Sequence, residues 1–199
     1  MKKIALFGGT FDPIHLGHLN LAVQMQEIHK LDEVLFCPAY SSPLKQNDLP
    51  KAGAKQRRAM VTLAIGAVPG FSILDDELER AGPSFTIDTM RHLIQSRPKA
   101  ELFLILGELK GLEKWKEIDQ LLSLAQPLIG ARQGNSRESV DLNGLSGASR
   151  KALQQGMTPI SIMEISSTKI RERLKQKKYC GHLVPEKVLN YIYEHKLYT

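Results

Sequence analysis

The chain reads as an α/β protein with a doubly wound parallel sheet, and three observations carry that reading. Short apolar runs alternate with segments of helical period along its length, the pattern of strand–helix–strand crossovers. The run Ile4-Ala5-Leu6-Phe7 and the most hydrophobic one, Leu102-Phe103-Leu104-Ile105-Leu106, contain no polar residue, as befits strands covered on both faces. Between the first run and the first helix lies Gly8-Gly9-Thr10-Phe11-Asp12-Pro13-Ile14-His15-Leu16-Gly17-His18. That is the carboxyl end of a strand, where open parallel sheets gather ligands.

The elements follow in order. Leu19, Ala22, Val23 and Gln26 begin the first helical period. Glu33-Val34-Leu35-Phe36-Cys37-Pro38 reads as strand two, followed by a polar loop over 39–53 of the length usually reserved for function. Residues 54–67 are expected to be helical, with Met60, Leu63, Ala64 and Ala67 on one side. Phe71-Ser72-Ile73-Leu74 is a short strand; residues 75–82 are polar and acidic and end in the breaker pair Gly82-Pro83. Ser84-Phe85-Thr86-Ile87-Asp88-Thr89-Met90 opens a helix with Ser84 as N-cap, and the helix stops before Pro98. Gly107 ends the central strand. A helix over 115–124 and a strand Pro127-Leu128-Ile129-Gly130-Ala131 come next. Residues 133–156, rich in Gly, Ser and Asn, read as a surface segment with a short helix near Arg150. Ile160-Ser161-Ile162-Met163 is expected as the last strand, with helices over 167–176 and 185–195, the latter apolar at Val188, Leu189 and Ile192. The expectation is a single domain over 1–199, its C-terminal helical part at 166–199.

At 199 residues the chain is long enough to bury a real core. Hydrophobic content of 42% and charged content of 24% are ordinary for a soluble globular protein. A net charge of +6 favours anionic partners such as nucleotides. The basic residues are dispersed and no aromatic-interleaved recognition motif appears, so nucleic acid is not an expected partner. Cys37 and Cys180 lie far apart with no Cys-x-x-Cys, which fits a reducing cytoplasm, and Cys37 is expected in the core. Lys2-Lys3 is followed by too short an apolar run for a signal peptide, and no stretch approaches the ~18 residues of a membrane span.

The chemistry concentrates in the glycine-histidine run. A helix N-terminus presents N–H groups and partial positive charge to an anion, and glycines let backbone approach a phosphate. His15 and His18, three apart, share a face of the first turn and can donate to one polyphosphate. His-x-x-His can also hold a metal, but a third ligand is needed, and the nearest candidate, His29, is a helix length away and expected to be exposed. The second signal is Ile165-Ser166-Ser167-Thr168-Lys169-Ile170-Arg171-Glu172-Arg173. Its hydroxyls sit where a strand hands over to a helix, which plain capping explains; with Lys169, Arg171 and Arg173 following, they also suit a polyphosphate clamp. Lys175, Lys177 and Lys178 read as a solvated face.

The first run, with His-x-Gly-His after Gly-Gly-Thr-Phe-Asp-Pro, resembles the nucleotidyltransferase superfamily of adenylyl- and cytidylyltransferases, and the second resembles its Ile-Ser-Ser-Thr-x-Ile-Arg signature. Ser84-Phe85-Thr86-Ile87-Asp88-Thr89, Pro43-Leu44-Lys45, Arg57 with Ala59-Met60, and Leu183-Val184-Pro185 through Leu197-Tyr198 are similar to stretches of bacterial nicotinate-nucleotide adenylyltransferases. One segment departs from that family: Gly107-Glu108-Leu109-Lys110 follows the central strand where Gly-x-Asp is usual, with Leu109 in the aspartate's place.

The resemblance implies a Rossmann-like nucleotidyltransferase fold and transfer of AMP from ATP to nicotinate mononucleotide. His15, His18 and Arg171 are the catalytic residues it implies, His18 nearest the transferring phosphorus. Gly8, Gly9, Thr10, Phe11, His15, Gly17, His18, Gly107, Ile165, Ser166, Ser167, Thr168 and Arg171 would bind ATP. Asp12, Lys45, Thr86, Trp115 and Arg132 would bind the acceptor; Trp115 is equally readable as a packing aromatic. Mg2+ would arrive with ATP, with few protein ligands of its own. The expected partners are ATP and the mononucleotide, with no membrane, and a homo-oligomer is left open. The alternatives are another acceptor, nicotinamide mononucleotide or phosphopantetheine, or a nucleotide-binding member without catalysis.

Overall fold

The structure, a computed structural model, describes residues 1–41, 43, 49–107, 109–132 and 144–199, and of Arg132 the backbone only. Six strands, β1 (Lys2–Gly9), β2 (Glu33–Pro38), β3 (Phe71–Ile73), β4 (Ala100–Leu106), β5 (Gln126–Arg132) and β6 (Met157–Ile160), form one sheet in the order β3-β2-β1-β4-β5-β6. The pairs β1–β4, β4–β5 and β5–β6 run parallel, with Ile4 opposite Leu102, Leu106 opposite Ile129, and Arg132 opposite Ile160. The strand order reverses at β1. The expected doubly wound α/β class is the one found. Ile4 to Phe7 and Phe103 to Leu106 are buried throughout, as the unbroken apolar runs required.

The helices are α1 (Leu16–His29), α2 (Ala54–Ile65), α3 (Asp76–Arg80), α4 (Thr86–Ser96), α5 (Ile118–Leu124), α6 (Gly147–Gln155), α7 (Ser167–Lys175) and α8 (Glu186–Glu194). No helix among the described residues is long and apolar enough to cross a membrane. Chain contacts group into two compact units. One comprises Met1–Gly8, Leu21–Leu35 and Phe85–Ile162; the other comprises Gly9–Asn20, Phe36–Ser84 and Met163–Thr199.

In the first unit α4, α5 and α6 pack in succession, and α5 and α6 also lie on β5. Asp119 accepts the Ser146 amide at 3.1 Å and the Ser149 hydroxyl, which ties the start of α6 to α5. Ser146 itself caps α6, accepting the Ser149 amide at 3.1 Å. In the second unit α2 packs on α8 and β3. Met60, Val61, Ala64 and Ile65 of α2 and Val188, Leu189 and Ile192 of α8 are buried.

Several expectations are corrected. The last strand is Met157–Ile160, not 160–163: Ile162 and Met163 are 42% and 44% exposed. An edge strand covered on one face alternates, and Thr158 and Ile160 turn inward while Met157 and Pro159 turn out. α2 ends at Ile65 with Gly66 as C-cap, leaving Ala67 exposed beyond it and Leu63 half-buried. The acidic stretch over 75–82 contains α3. Phe85, not Ser84, occupies the N-cap of α4, and the Ser84 hydroxyl accepts the Tyr40 amide at 2.9 Å instead. Trp115 is not helical; it follows a 3₁₀ turn, Leu112–Lys114, and α5 waits until Glu117 has taken a left-handed φ of 52°. His29 is half-buried rather than exposed, its ring nitrogen 2.8 Å from the Thr158 hydroxyl. The short helix expected near Arg150 is α6, while residues 133–143 lie outside the described residues.

Ser146→Ala removes the cap of α6, since the lost hydroxyl is the acceptor of the Ser149 amide, while the Ser146 amide stays on Asp119. It is expected to cost about 1 kcal/mol, a fall of roughly 2–4 °C in Tm by calorimetry. An unchanged Tm would show that α6 adds nothing to the cooperative unit.

Candidate active site

The turn leaving β1 is held by its carbonyls. Gly9 O accepts the Ala39 amide at 2.9 Å. Thr10 O accepts Arg57 Nη1 at 2.8 Å, Asp12 O accepts Arg171 Nη1 at 2.8 Å, and Pro13 O accepts Ser167 Oγ at 2.9 Å. Phe11 takes φ 50° and is 2% exposed, its ring edge-on to His18 with centroids 5.1 Å apart. A Cβ on Gly9 would stand 2.9 Å from that ring, so the turn needs glycine there.

His15 and His18 form a stacked pair, ring centroids 3.6 Å apart. The His15 amide donates to His18 Nδ1 and the His18 amide to His15 Nδ1, each at 3.3 Å. A nitrogen that accepts carries no proton, so both neutral rings carry theirs on Nε2. Each neutral ring can then donate only from Nε2. A Cβ on Gly17 would lie 3.0 Å from Met163 O and 3.1 Å from His15 Nδ1, so the helix start is glycine because His15 occupies the space. The Leu16 amide, in the first turn of α1, donates to Leu183 O at 2.9 Å.

The second expected phosphate segment meets the first inside the same unit. Ile165 precedes α7, Ser166 holds its N-cap position with no side-chain cap hydrogen bond, and Ser167 reaches Pro13. Arg171 binds Asp12 O, lies 3.8 Å from Asp12 Oδ2, and touches Thr168 Oγ1 at 3.3 Å. Capping is therefore not what the Ser167 hydroxyl does: it welds the start of α7 to the His-bearing turn. Lys175, Lys177 and Lys178 are exposed, as a solvated face is.

Asp12, expected on the acceptor, is 4% exposed and fully engaged by the chain. Its Oδ2 accepts the Lys51 amide at 2.7 Å; its Oδ1 accepts the Ala52 amide at 3.1 Å and the Tyr198 hydroxyl at 2.7 Å. Arg57 is 1% exposed and donates to four carbonyls, those of Thr10, Ala39, Tyr40 and Ala52. Arg57 and Tyr198 are site residues to which the sequence motifs assign no role. The available signal was an arginine on the apolar stripe of α2, at spacings of three, four and seven from Met60, Val61 and Ala64.

The remaining expected residues belong to the other unit or are not described. Gly8 is exposed in β1, with open space where a Cβ would go, and Gly107 is exposed after β4. Thr86 begins α4 and Trp115 follows the 3₁₀ turn, both half-buried. Beside Trp115, Lys116 sits 4.8 Å above the Phe85 ring and 3.2 Å from Asp88, and Glu117 pairs with Arg91. These contacts tie the Trp115 segment to the first turn of α4. Arg132 ends β5; Lys45 and Glu108 lie outside the described residues. No three His, Cys, Asp or Glu side chains among the described residues gather as a metal site.

Burial pulls the His15 imidazole from its ordinary 6.5 down to about 4. Burial, and next the neighbouring His15, pull His18 well below its ordinary value. Both are neutral near pH 7, and two stacked cations would repel. The unfolded chain takes up these protons below about pH 6.5 and the folded chain does not, so stability is full above that pH and falls as pH drops toward 4. At about 1.4 kcal/mol per pH unit, His15 alone accounts for about 3 kcal/mol across that window. Denaturant unfolding of His15→Gln is expected to show a shallower decline between pH 6.5 and 4.5 than the parent chain; equal slopes would contradict the depressed value.

Comparison with known proteins gives the family. The cytidylyltransferase-like family matches residues 6–173. The nicotinate-nucleotide adenylyltransferase of Bacillus subtilis (strain 168) is 39% identical over 200 residues, covering 100% of this chain and 99% of its own. A protein of Dehalococcoides mccartyi named Probable nicotinate-nucleotide adenylyltransferase is 39% identical over 203 residues, covering 98% and 97%. The solved structure of Plasmodium falciparum nicotinic acid mononucleotide adenylyltransferase complexed with NaAD shares the fold at TM-score 0.74 and 19% identity, over 100% of this chain and 98% of that one. With its two signatures locked together behind one pair of histidines, the chain belongs to the cytidylyltransferase-like family, among the nicotinate-nucleotide adenylyltransferases.

Proposed function

We propose that the protein transfers the adenylyl group of ATP to nicotinate mononucleotide, releasing pyrophosphate and giving nicotinate adenine dinucleotide. The observation that carries this is the joined pair of helix starts, α1 and α7, with the two Nε2–H donors of His15 and His18 beside them. A mononucleotide phosphate is already ionised at neutral pH, so its attack on the α-phosphorus needs no strong base. The work left to the protein is alignment and stabilisation of charge on the α-phosphate and the leaving pyrophosphate. Neutral imidazoles suit this, since each donates a hydrogen bond without competing as a base.

His18, His15 and Arg171 are assigned to the transferring and leaving phosphates, with Thr10, Ser166 and Thr168 at the two helix starts. Gly9 and Gly17 admit the backbone; Gly8, Phe11, Gly107, Ile165 and Ser167 are assigned to shaping the ATP site. Lys45, Thr86, Trp115 and Arg132 are assigned to the acceptor, on the strength of the family resemblance. Magnesium neutralises the polyphosphate when bound. Both Asp12 oxygens are already engaged by the chain, which supports reading the metal as one that would arrive with ATP. Free, buried thiols at Cys37 and Cys180 support assignment to a reducing cytoplasm. The whole chain is read as one nucleotidyltransferase domain.

The test is pyrophosphate release from ATP and magnesium, with nicotinate mononucleotide, nicotinamide mononucleotide and phosphopantetheine offered separately. Strong preference for the nicotinate form is expected; preference for another would move the specificity, and release with none would end the catalytic reading. His18→Ala is expected to lower kcat roughly a hundredfold or more, the scale of losing one transition-state donor. A variant near wild-type turnover would remove His18 from the mechanism.

A further inference from the structure

Asp12 is the most heavily committed carboxylate of the site. It stands within the turn that presents His15, and its oxygens gather the Lys51 and Ala52 amides and the Tyr198 hydroxyl. Its own carbonyl is held by Arg171. Tyr198 lies beyond α8, yet it is 8% exposed and its hydroxyl sits 2.7 Å from Asp12 Oδ1. Lys51 and Ala52 stand near the end of the loop over 39–53 that carries Lys45. One carboxylate therefore joins three separate pieces of chain: the histidine turn, the end of the Lys45 loop, and the tail. Arg57 repeats the junction, linking Thr10 O to the carbonyls on either side of that loop, at Ala39, Tyr40 and Ala52.

We propose that Asp12 is a positioning residue rather than a substrate contact, and that Tyr198 is the latch that sets it, holding the histidine turn in the geometry adenylyl transfer needs. A buried carboxylate whose two oxygens are already taken by the chain is not offered to an acceptor, but its orientation fixes where the next residues present their donors. An ionised acceptor held by two amides and a hydroxyl is a stiff joint, because charge-assisted bonds are short and directional. Removing the hydroxyl leaves Oδ1 with one donor in a site that water does not readily reach, so the carboxylate reorients and the turn with it. The proposal rests on the adenylyl-transfer reading for its kinetic consequence, though not for its structural one.

Tyr198→Phe keeps the ring and deletes the latch; Leu197→Ala, at a neighbour 9% exposed, removes apolar packing while leaving the Tyr198 hydroxyl on Asp12. Two readouts separate the ideas. Amide hydrogen exchange over residues 9–18 and 50–53 is expected to quicken about tenfold in Tyr198→Phe and to stay near wild type in Leu197→Ala. Kinetically, Tyr198→Phe is expected to lower kcat about tenfold with KM for ATP and acceptor within twofold, while Leu197→Ala lowers Tm and leaves kcat unchanged. Unchanged exchange in Tyr198→Phe overturns the latch whether or not the enzyme turns over. Quickened exchange with unchanged kcat, or equal losses of kcat and Tm in both variants, overturns the positioning role. A wild-type protein inactive with every acceptor defeats the adenylyl-transfer reading and the kinetic half with it, while exchange still decides the latch.

Discussion

Everything in the site depends on carbonyls being held from behind. In the turn after β1, Gly9, Thr10, Asp12 and Pro13 each have their C=O taken by a donor from elsewhere in the same unit. A peptide group is planar, and across a trans bond its N–H points opposite its C=O. Anchoring the carbonyls of Gly9, Thr10 and Pro13 therefore turns the amides of Thr10, Phe11 and Ile14 the other way. That is how a short segment with Phe11 at a left-handed φ is kept in one shape. The histidines extend the same logic: each accepts the other's amide on Nδ1, so both protons lie on Nε2.

The anchors are expensive groups to bury. Arg57 is almost wholly inside, and burial lowers its pKa, opposed first by the charge of Asp12. A buried guanidinium without partners would be prohibitive; four carbonyls, reached by a planar fork of donors, offset that cost. Asp12 is the complementary charge, and burial together with that carboxylate raises the Tyr198 phenol far above its usual range, so Tyr198 stays a donor. A cation, an anion and a neutral hydroxyl thus make one satisfied network. Its rigidity is worth more to the site than to stability, since buried ionic groups seldom contribute much net free energy.

Much of the fold was legible because unbroken apolar runs leave little choice. β1, β2 and β4 lie where those runs put them. The errors share a cause. At β6 the apolar stretch 160–163 suggests the strand, whereas an edge strand obeys alternation. At Ser84 local capping chemistry points to a helix start, but the hydroxyl finds the Tyr40 amide, 44 residues away, and the N-cap falls one residue later, at Phe85. At Trp115 nothing local announces that Glu117 breaks the helix with a positive φ; in the fold the Arg91 pair holds it there. Side-chain hydrogen bonds between distant segments leave no period in the sequence.

The sequence by itself determined the fold class, the place of the histidines at the first strand–helix junction, and the second run of hydroxyls at the start of α7. Each is written in residues close together: an apolar run, glycines, histidines, hydroxyls before a basic turn. Only the tertiary structure decided what several of those residues do. It set Ser167 and Arg171 on backbone carbonyls, closed Asp12 off with Lys51, Ala52 and Tyr198, and placed Arg57 at the centre of the turn. The reason is physical: a donor's role depends on which acceptor reaches it first, and for buried groups that acceptor comes from chain far away in sequence.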